Sequence, residues 1–132
     1  MGARAVNGLV PYLAVNQQLP SLNPMGITET DDAGLSQLVH KHPKAFVMFT
    51  ASHCATCEQL RPVFELFATN RAYAGIAFLR LNADQNPVAT QLMDKQAAPY
   101  FVTYDQGRLV HCDALYTEQQ LRAMLHALHQ AA

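Results

Sequence analysis

The feature that most constrains this chain is a pair of cysteines, Cys54 and Cys57, placed where an apolar stretch gives way to a helical one. Residues 46–49 form the short apolar run that a strand covered on both faces requires, and the chain from Glu58 onward has helical periodicity. If the helix begins near Cys54, two residues three positions apart lie on one face, close enough for a disulfide. The positive end of the helix dipole favours a thiolate, so Cys54 is predicted to attack and Cys57, one turn deeper, to resolve.

Several segments around this pair resemble the thioredoxin family. Residues 46–49 and 50–53 are similar to its central strand and the turn before Cys-x-x-Cys, and Pro62 matches a proline five residues after the second cysteine. Residues 81–87 and 98–107 resemble the segment after its next strand and its cis-proline strand with hairpin. A lone Cys-x-x-Cys would equally suit half a zinc site, but these blocks follow the family's order over about residues 26–132. The resemblance implies an α/β thioredoxin fold, a central mixed β-sheet flanked by helices on both faces.

The resemblance also implies an activity. A member of this family is expected to be a thiol–disulfide oxidoreductase that exchanges disulfides with protein substrates, is recycled by a reductase or other electron donor still to be identified, and needs no cofactor. In the family the bond before the matching proline is cis, and the backbone of the residue before that proline pairs with a substrate chain. With Cys54 and Cys57 as the catalytic pair, the expected substrate-binding residues are His53, Ala55, Thr56, Ala98 and Pro99.

Several positions depart from the family's usual pattern. The aspartate usually buried six residues before the first cysteine is Met48, so no carboxylate is expected there to take the proton of the resolving thiol, and mixed disulfides should resolve slowly. The usual Trp before the first cysteine is His53, the usual Gly-Pro is Ala55-Thr56, and the usual Lys after the second cysteine is Glu58. A protonated His53 would favour the Cys54 thiolate and Glu58 would oppose it, so the sign of the net change in redox poise stays open.

The other elements follow from periodicity and turn residues. Strands are expected at residues 27–29, 76–81, 100–104 and 109–112, the last two joined at Gln106-Gly107. Thr30 or Asp31 is predicted to cap the first helix, Asn86 the third, and residues 117–120 to form a capping box for the last. The order βαβαβαββα gives parallel central strands and an antiparallel hairpin. The predicted buried helix faces are Leu35, Leu38 and Val39; Val88, Leu92 and Met93; and Leu121, Met124, Leu125 and Leu128.

Composition fits one domain and argues against several classes of protein. With 132 residues, half of them hydrophobic, the chain is long enough for a sizeable core. A net charge of −1 without a basic patch gives no indication of nucleic-acid binding, and no apolar run approaches the roughly 18 residues of a membrane span. Three cysteines, two of them at a meaningful spacing, do not make the disulfide framework of a secreted module, so the cytoplasm is the expected compartment.

Residues 1–25 lie outside the resemblance and are predicted to be an N-terminal extension to a thioredoxin-like domain at residues 26–132. The segment has no charged residue after Arg4, and its three prolines break any long helix. Arg4 and the apolar residues 8–15 resemble a signal peptide, but that core is short, contains a proline and lacks an obvious small-x-small cleavage site. Export is therefore the less favoured alternative.

Other functions stay open at this point. Without the buried carboxylate, a thioredoxin-like chain could bind partners or act as a chaperone with little redox turnover. Cys54 and Cys57 from two chains could instead bind a metal or an iron–sulfur cluster. His126 and His129 are three apart on the last helix, but without a second ligand pair they predict a solvated face. Cys112 is predicted to be a small buried hydrophobe rather than a third redox group.

Overall fold

The computed structural model describes residues 26–131, and these contain five β-strands and four α-helices in the predicted order. The predicted extension at residues 1–25 lies outside this range. The strands are β1 (Ile27–Glu29), β2 (Lys44–Thr50), β3 (Ile76–Asn82), β4 (Tyr100–Asp105) and β5 (Arg108–Ala114). The helices are α1 (Asp32–Lys41), α2 (Ala55–Thr69), α3 (Pro87–Met93) and α4 (Glu118–Gln130). Two short 3₁₀ turns, Arg71–Tyr73 and Ala83–Gln85, flank β3.

The strands form one mixed sheet in the order β1-β3-β2-β4-β5. The central strand β2 pairs in parallel with β3 and antiparallel with β4, while β1 joins β3 in parallel and β5 joins β4 antiparallel. Helices α2 and α4 pack on one face of the sheet, and α1 and α3 pack on the other. The buried side chains of each pair of helices belong to a separate apolar cluster. The predicted architecture, a mixed sheet with helices on both faces, is confirmed.

Aromatic rings pack together in the core on the sheet face that carries α2 and α4. Phe46 on β2 lies 5.6 to 5.9 Å, centroid to centroid, from Phe64, Phe78 and Phe101, and all four are at most 2% exposed. Each such pair contributes roughly 0.5–1.5 kcal/mol beyond the burial of its apolar area. Residues 45–49 all have no exposed surface, as a strand covered by helices on both sides requires. The active-site helix therefore starts from a strand that is fixed on both faces.

The helix faces agree with the sequence in α1 and α4 but only in part in α3. All four predicted residues of α4 are buried, and in α1 Leu38 is half-buried beside its two buried neighbours. In α3 the buried residues are Ala89 and Met93, one turn apart, and Leu92 is half-buried. Val88 is 62% exposed, so its assignment to the core was wrong. It precedes Ala89 by about 100° around the helix and so points away from the sheet.

Helix α3 is capped from α1 and not by its own N-cap residue. Asn86 makes no side-chain capping bond, so the predicted cap was wrong. The carboxylate of Asp32 instead accepts the backbone N–H groups of Val88 at 2.9 Å and Ala89 at 3.1 Å. In return, Asn86 Oδ1 accepts the N–H of Asp32 at 2.9 Å, and its Nδ2 donates to the carbonyl of Asn82 at 2.8 Å. This reciprocal arrangement ties α1 to α3 and satisfies donors that a helix end leaves free.

The remaining caps and turns are as predicted. Asp31, the second of the two predicted residues, caps α1 by accepting the N–H of Gly34 at 2.8 Å. The capping box of α4 is complete between Thr117 and Gln120. Gln106 and Gly107, with φ of 55° and 79°, form the two-residue hairpin turn, a backbone that matches the twist of the flanking strands.

Candidate active site

The cysteine pair lies at the corner between β2 and α2. Cys54 and Cys57 are joined by a disulfide, with their Cα atoms 5.2 Å apart. Cys54 is the N-cap of α2, and its Sγ accepts the backbone N–H of Cys57 at 3.1 Å. Cys54 is half-buried, whereas Cys57 is 4% exposed within the apolar cluster under α2. The accessible sulfur is therefore the one at the positive end of the helix dipole.

The turn that presents Cys54 is held by the neighbouring strand. His53 is exposed and has φ of 56°, a left-handed conformation that few non-glycine residues adopt. The preceding residue, Ser52, donates its N–H to Oδ2 of Asp84 at 2.8 Å. Asp84 belongs to the 3₁₀ turn that follows β3, so a carboxylate from an adjacent element positions this loop. In the sequence, Asp84 lies inside the block of residues 81–87 that resembles the family, but no pattern there predicts its role.

The predicted proline segment contacts the disulfide. The Ala98–Pro99 peptide bond is cis, as the resemblance implies, and the carbonyl oxygen of Ala98 lies 3.6 Å from Cys54 Sγ. Ala98 is half-buried and Pro99 is buried. On the helix side of Cys54, Ala55 is exposed and Thr56 is half-buried. The structure thus brings His53, Ala55, Thr56 and Ala98 to the surface around Cys54, with Pro99 below that surface.

A polar cavity of about 400 Å³ opens beside Cys57. Met48, which has no exposed surface, forms part of its wall and packs in the same cluster as Cys57, beneath the active site as predicted. The cavity is nevertheless rich in charge. The ionisable side chains that line it are Glu29, His53, Glu58, Arg61 and Arg80.

Arg80 places a charged side chain on the sheet face next to Met48. It is in register with Glu29 on β1 and with Met48 on β2, so the three side chains lie side by side on the face that carries α2. Arg80 Nε donates to Glu29 Oε2 at 2.7 Å, and Nη2 donates to the same oxygen. Nη1 is buried 3.9 Å from Glu65 Oε2 and has no hydrogen-bond partner in the described residues. The role of Arg80 was not predicted, although a single charge in the otherwise apolar strand at residues 76–81 is a signal for it.

The third cysteine lies apart from the other two. Cys112 is a free, half-buried thiol on β5, packed against the cluster on the α1 and α3 face. It was predicted to be buried and is only partly so, because β5 is the outermost strand of the sheet on that side among residues 26–131. The pKa of Tyr100 is raised well above its ordinary value. Burial is the largest cause, and the neighbouring Cys112 is the next. The same two causes raise the pKa of Tyr104.

Two other expectations concern metals and membranes. His126 and His129 are both exposed on α4. The part of the chain that the structure describes contains no group of three or more His, Cys, Asp or Glu placed to hold a metal ion. None of the helices between residues 26 and 131 combines the length and apolar character needed to cross a membrane.

A mixed sheet with helices on both faces, and a Cys-x-x-Cys disulfide at the start of the helix that follows its central strand, define a thiol–disulfide oxidoreductase. The Thioredoxin family model matches residues 26–128. A thioredoxin H-type from Chlamydomonas reinhardtii is 32% identical over 104 residues, 76% of this chain and 88% of the relative. A thioredoxin from Alicyclobacillus acidocaldarius subsp. acidocaldarius is 30% identical over 95 residues, 71% and 90% of the two chains. The chain belongs to the thioredoxin family.

Solved structures share the fold. Thioredoxin f from spinach chloroplast, in its short form, superposes with a TM-score of 0.71 at 18% identity, covering 79% of this chain and 94% of that one. Oxidised mitochondrial thioredoxin 3 from Saccharomyces cerevisiae gives 0.69 at 21% identity, covering 77% and 95%. At such identities the likeness concerns the fold alone.

Proposed function

We propose that Cys54 is the attacking thiolate and Cys57 the resolving thiol in exchange with protein disulfides. The unequal exposure of the two cysteines carries the proposal: Cys54 is half-buried at the helix N-terminus, and Cys57, one turn further along, is 4% exposed. Cys54 attacks a substrate disulfide, forms a mixed disulfide with one substrate sulfur and releases the other. Cys57 then attacks Cys54, which frees the second substrate sulfur and leaves the Cys54–Cys57 disulfide. The substrate gains two electrons and the protein dithiol loses them.

The substrate is proposed to lie across Cys54 in an extended conformation. The backbone of Ala98 is 3.6 Å from Cys54 Sγ at its carbonyl, so it can pair with a substrate strand next to the reacting sulfur. His53, Ala55 and Thr56 adjoin Cys54 in the chain, and Pro99 follows Ala98 and is buried. Because Ala98 has a small side chain, this groove accepts bulky substrate residues.

The charges next to the cysteines favour attack by Cys54. Glu58 would oppose a thiolate at Cys54, but its carboxylate is paired with Arg61 at 3.0 Å. Exposed pairs of this kind contribute little to stability, yet the arginine offsets the negative charge at short range. The positive helix N-terminus then remains the main electrostatic influence on Cys54.

Partners and compartment follow from the same chemistry. We propose that the substrates are proteins with accessible disulfides and that a separate reductase returns the oxidised form to the dithiol. The cytoplasm is the proposed compartment, because the cysteines do not form the framework of a secreted module. Residues 26–132 are proposed to form the whole redox domain, and residues 1–25 an extension to it.

Turnover and trapping test the proposal together. The parent protein is expected to catalyse insulin reduction by dithiothreitol, and Cys57→Ser is expected to trap partners as mixed disulfides through Cys54. Cys54→Ser should trap few, and Cys112→Ser, the matched control, should leave turnover unchanged. Equal trapping of the same partners by Cys54→Ser and Cys57→Ser would show that the assigned roles are wrong. Absence of turnover in the parent would favour the alternative of a binding module.

A further inference from the structure

We propose that Glu29 is the proton acceptor for Cys57 when a mixed disulfide is resolved, and that Arg80 holds Glu29 in place. The proposal rests on the dithiol function proposed above. The Cys57 thiol passes its proton through water in the cavity to the Glu29 carboxylate. The freed electron pair on Cys57 Sγ forms the bond to Cys54 Sγ, the bond between Cys54 and the substrate sulfur breaks, and the substrate leaves as a thiolate. That thiolate then takes up the proton, which returns Glu29 to its ionised form.

Cys57 needs such an acceptor because of where it lies. It is 4% exposed and packs in an apolar cluster, and burial of this kind disfavours a thiolate. The side chain beneath it, Met48, has no ionisable group. A proton leaving Cys57 therefore has to reach a base elsewhere around the polar cavity of about 400 Å³ that both residues line. A polar space of that size holds the water that relays a proton.

The ionisable groups around the cavity come from four elements, and only one of them fits the role. Arg61 on α2 and Arg80 on β3 remain protonated and accept no proton. Glu58 directly follows Cys57 on α2, and adjacent helical residues do not face each other. His53 is exposed on the turn beside Cys54, and Glu65 on α2 lies next to Arg80 without lining the cavity. Glu29 lines the cavity from β1, on the sheet face that Cys57 packs against.

The contacts of Glu29 leave it able to accept. Both Arg80 donors, Nε at 2.7 Å and Nη2, bind the same oxygen, Oε2, so Oε1 is left as the second acceptor. The Arg80 side chain is 18% exposed and the Glu29 side chain 58%. A largely buried arginine thus anchors a carboxylate that still reaches water. Glu29 and Met48 lie two strands apart, about 10 Å between backbones, which is why the transfer runs through water and not by direct contact.

A purely structural role for Glu29 would change the rate of resolution by Cys57 in the opposite direction. If Glu29 only neutralises Arg80, removing its charge leaves an unpaired guanidinium beside Cys57. That charge favours the Cys57 thiolate, so resolution would become faster. If Glu29 accepts the proton, removing its charge slows resolution.

The test mixes the reduced full chain with 5,5′-dithiobis(2-nitrobenzoate) in a stopped-flow instrument. The chain and every variant of it carry Cys112→Ser, so that the two active-site cysteines are the thiols that react. The first thionitrobenzoate released reports attack by Cys54, and the second reports resolution by Cys57. Glu29→Gln keeps the shape of the side chain and an oxygen that accepts from Arg80, so the variant should fold, with a urea midpoint lowered by the loss of the ion pair. We expect this variant to slow the second release about a hundredfold near neutral pH, to lose the acidic limb of the rate–pH profile, and to leave the first release unchanged; the factor is the lower end of general-base effects.

Three further variants make the result specific. Glu65→Gln removes the other carboxylate near Arg80, and Glu58→Gln removes the one beside Cys57, and both should leave the second release within about twofold, well below a general-base effect. Met48→Asp added to Glu29→Gln places a carboxylate beneath Cys57 and should restore the second release. An unchanged or faster second release in Glu29→Gln, with a normal first release, would overturn this inference alone. A first release that persists in Cys54→Ser would instead overturn the roles proposed for the two cysteines.

Discussion

The electrostatic influence of Arg80 on position 48, beneath the active site, can be measured by substitution. Met48 is fully buried and in parallel register with Arg80, so a carboxylate introduced by Met48→Asp would lie about 5 Å from the arginine's strand. If the charges were as close as the strands, their attraction at an effective dielectric constant of about 20 would be about 3 kcal/mol. This is an upper bound, because the guanidinium reaches toward Glu29 on β1. Desolvation of the new carboxylate removes part of this gain. We therefore expect a favourable coupling free energy of about 1–3 kcal/mol between the two positions.

The substitution should still destabilise the protein as a whole. Met48→Asp loses a packed apolar side chain and buries a polar group, which together cost on the order of 3 kcal/mol. Met48→Leu, which keeps volume and apolar character, should cost less than about 1.5 kcal/mol. The difference between the two isolates the effect of charge from that of shape.

A double-mutant cycle measures the coupling. The four proteins are the parent, Met48→Asp, Arg80→Met and the double variant, each with the Cys54–Cys57 disulfide intact. Because the chain has no tryptophan, urea unfolding is followed by far-ultraviolet circular dichroism. A coupling free energy below about 0.5 kcal/mol would refute the reasoning, since it would mean that positions 48 and 80 act independently.

Three further predictions concern a helix cap, a hydrogen bond in the active-site turn and a raised tyrosine pKa. Asp32→Ala should lower the free energy of unfolding by about 1–2 kcal/mol in urea titrations, because α3 loses the carboxylate that accepts two of its N–H groups, and Asp32→Asn should lose less. Asp84→Ala should slow insulin reduction several-fold by releasing the Ser52 N–H, and an unchanged rate would show that the turn holds its shape unaided. The raised pKa of Tyr100 contributes stability that is present below about pH 10 and is lost as pH rises toward the folded-state pKa. The urea midpoint of Tyr100→Phe should therefore fall less steeply than that of the parent above about pH 10, and equal slopes would contradict this.

Local sequence signals predicted the parts of the structure that depend on neighbouring residues. The predicted apolar run at 46–49 has no exposed surface, Gln106-Gly107 forms the hairpin turn, and the cysteines occupy the start of α2. Each of these depends on residues only a few positions apart. Val88 was misassigned because α3 spans seven residues, too few for periodicity to separate the buried face from its edge.

The charged part of the site depends on residues far apart in the chain. Glu29 and Arg80 are 51 residues apart, and their contact depends on the register between β1 and β3. Sequence indicated that Met48 left the active site without a carboxylate at that position. It did not indicate that a carboxylate from another strand lines the same cavity. Periodicity reports which residues are buried, but the pairing of side chains across strands requires the assembled sheet.

The 3₁₀ turn Ala83–Gln85 and its flanking residues have a consequence for hydrogen exchange. Asp84 binds the N–H of Ser52 in the active-site turn, and Asn86, just after the 3₁₀ turn, binds the N–H of Asp32 at the start of α1. Ser52 is exposed, yet its amide proton can exchange only when its hydrogen bond to Asp84 breaks. The amides of Ser52 and Asp32 should therefore exchange with deuterium at correlated rates, set by the opening of a single short segment between β3 and α3.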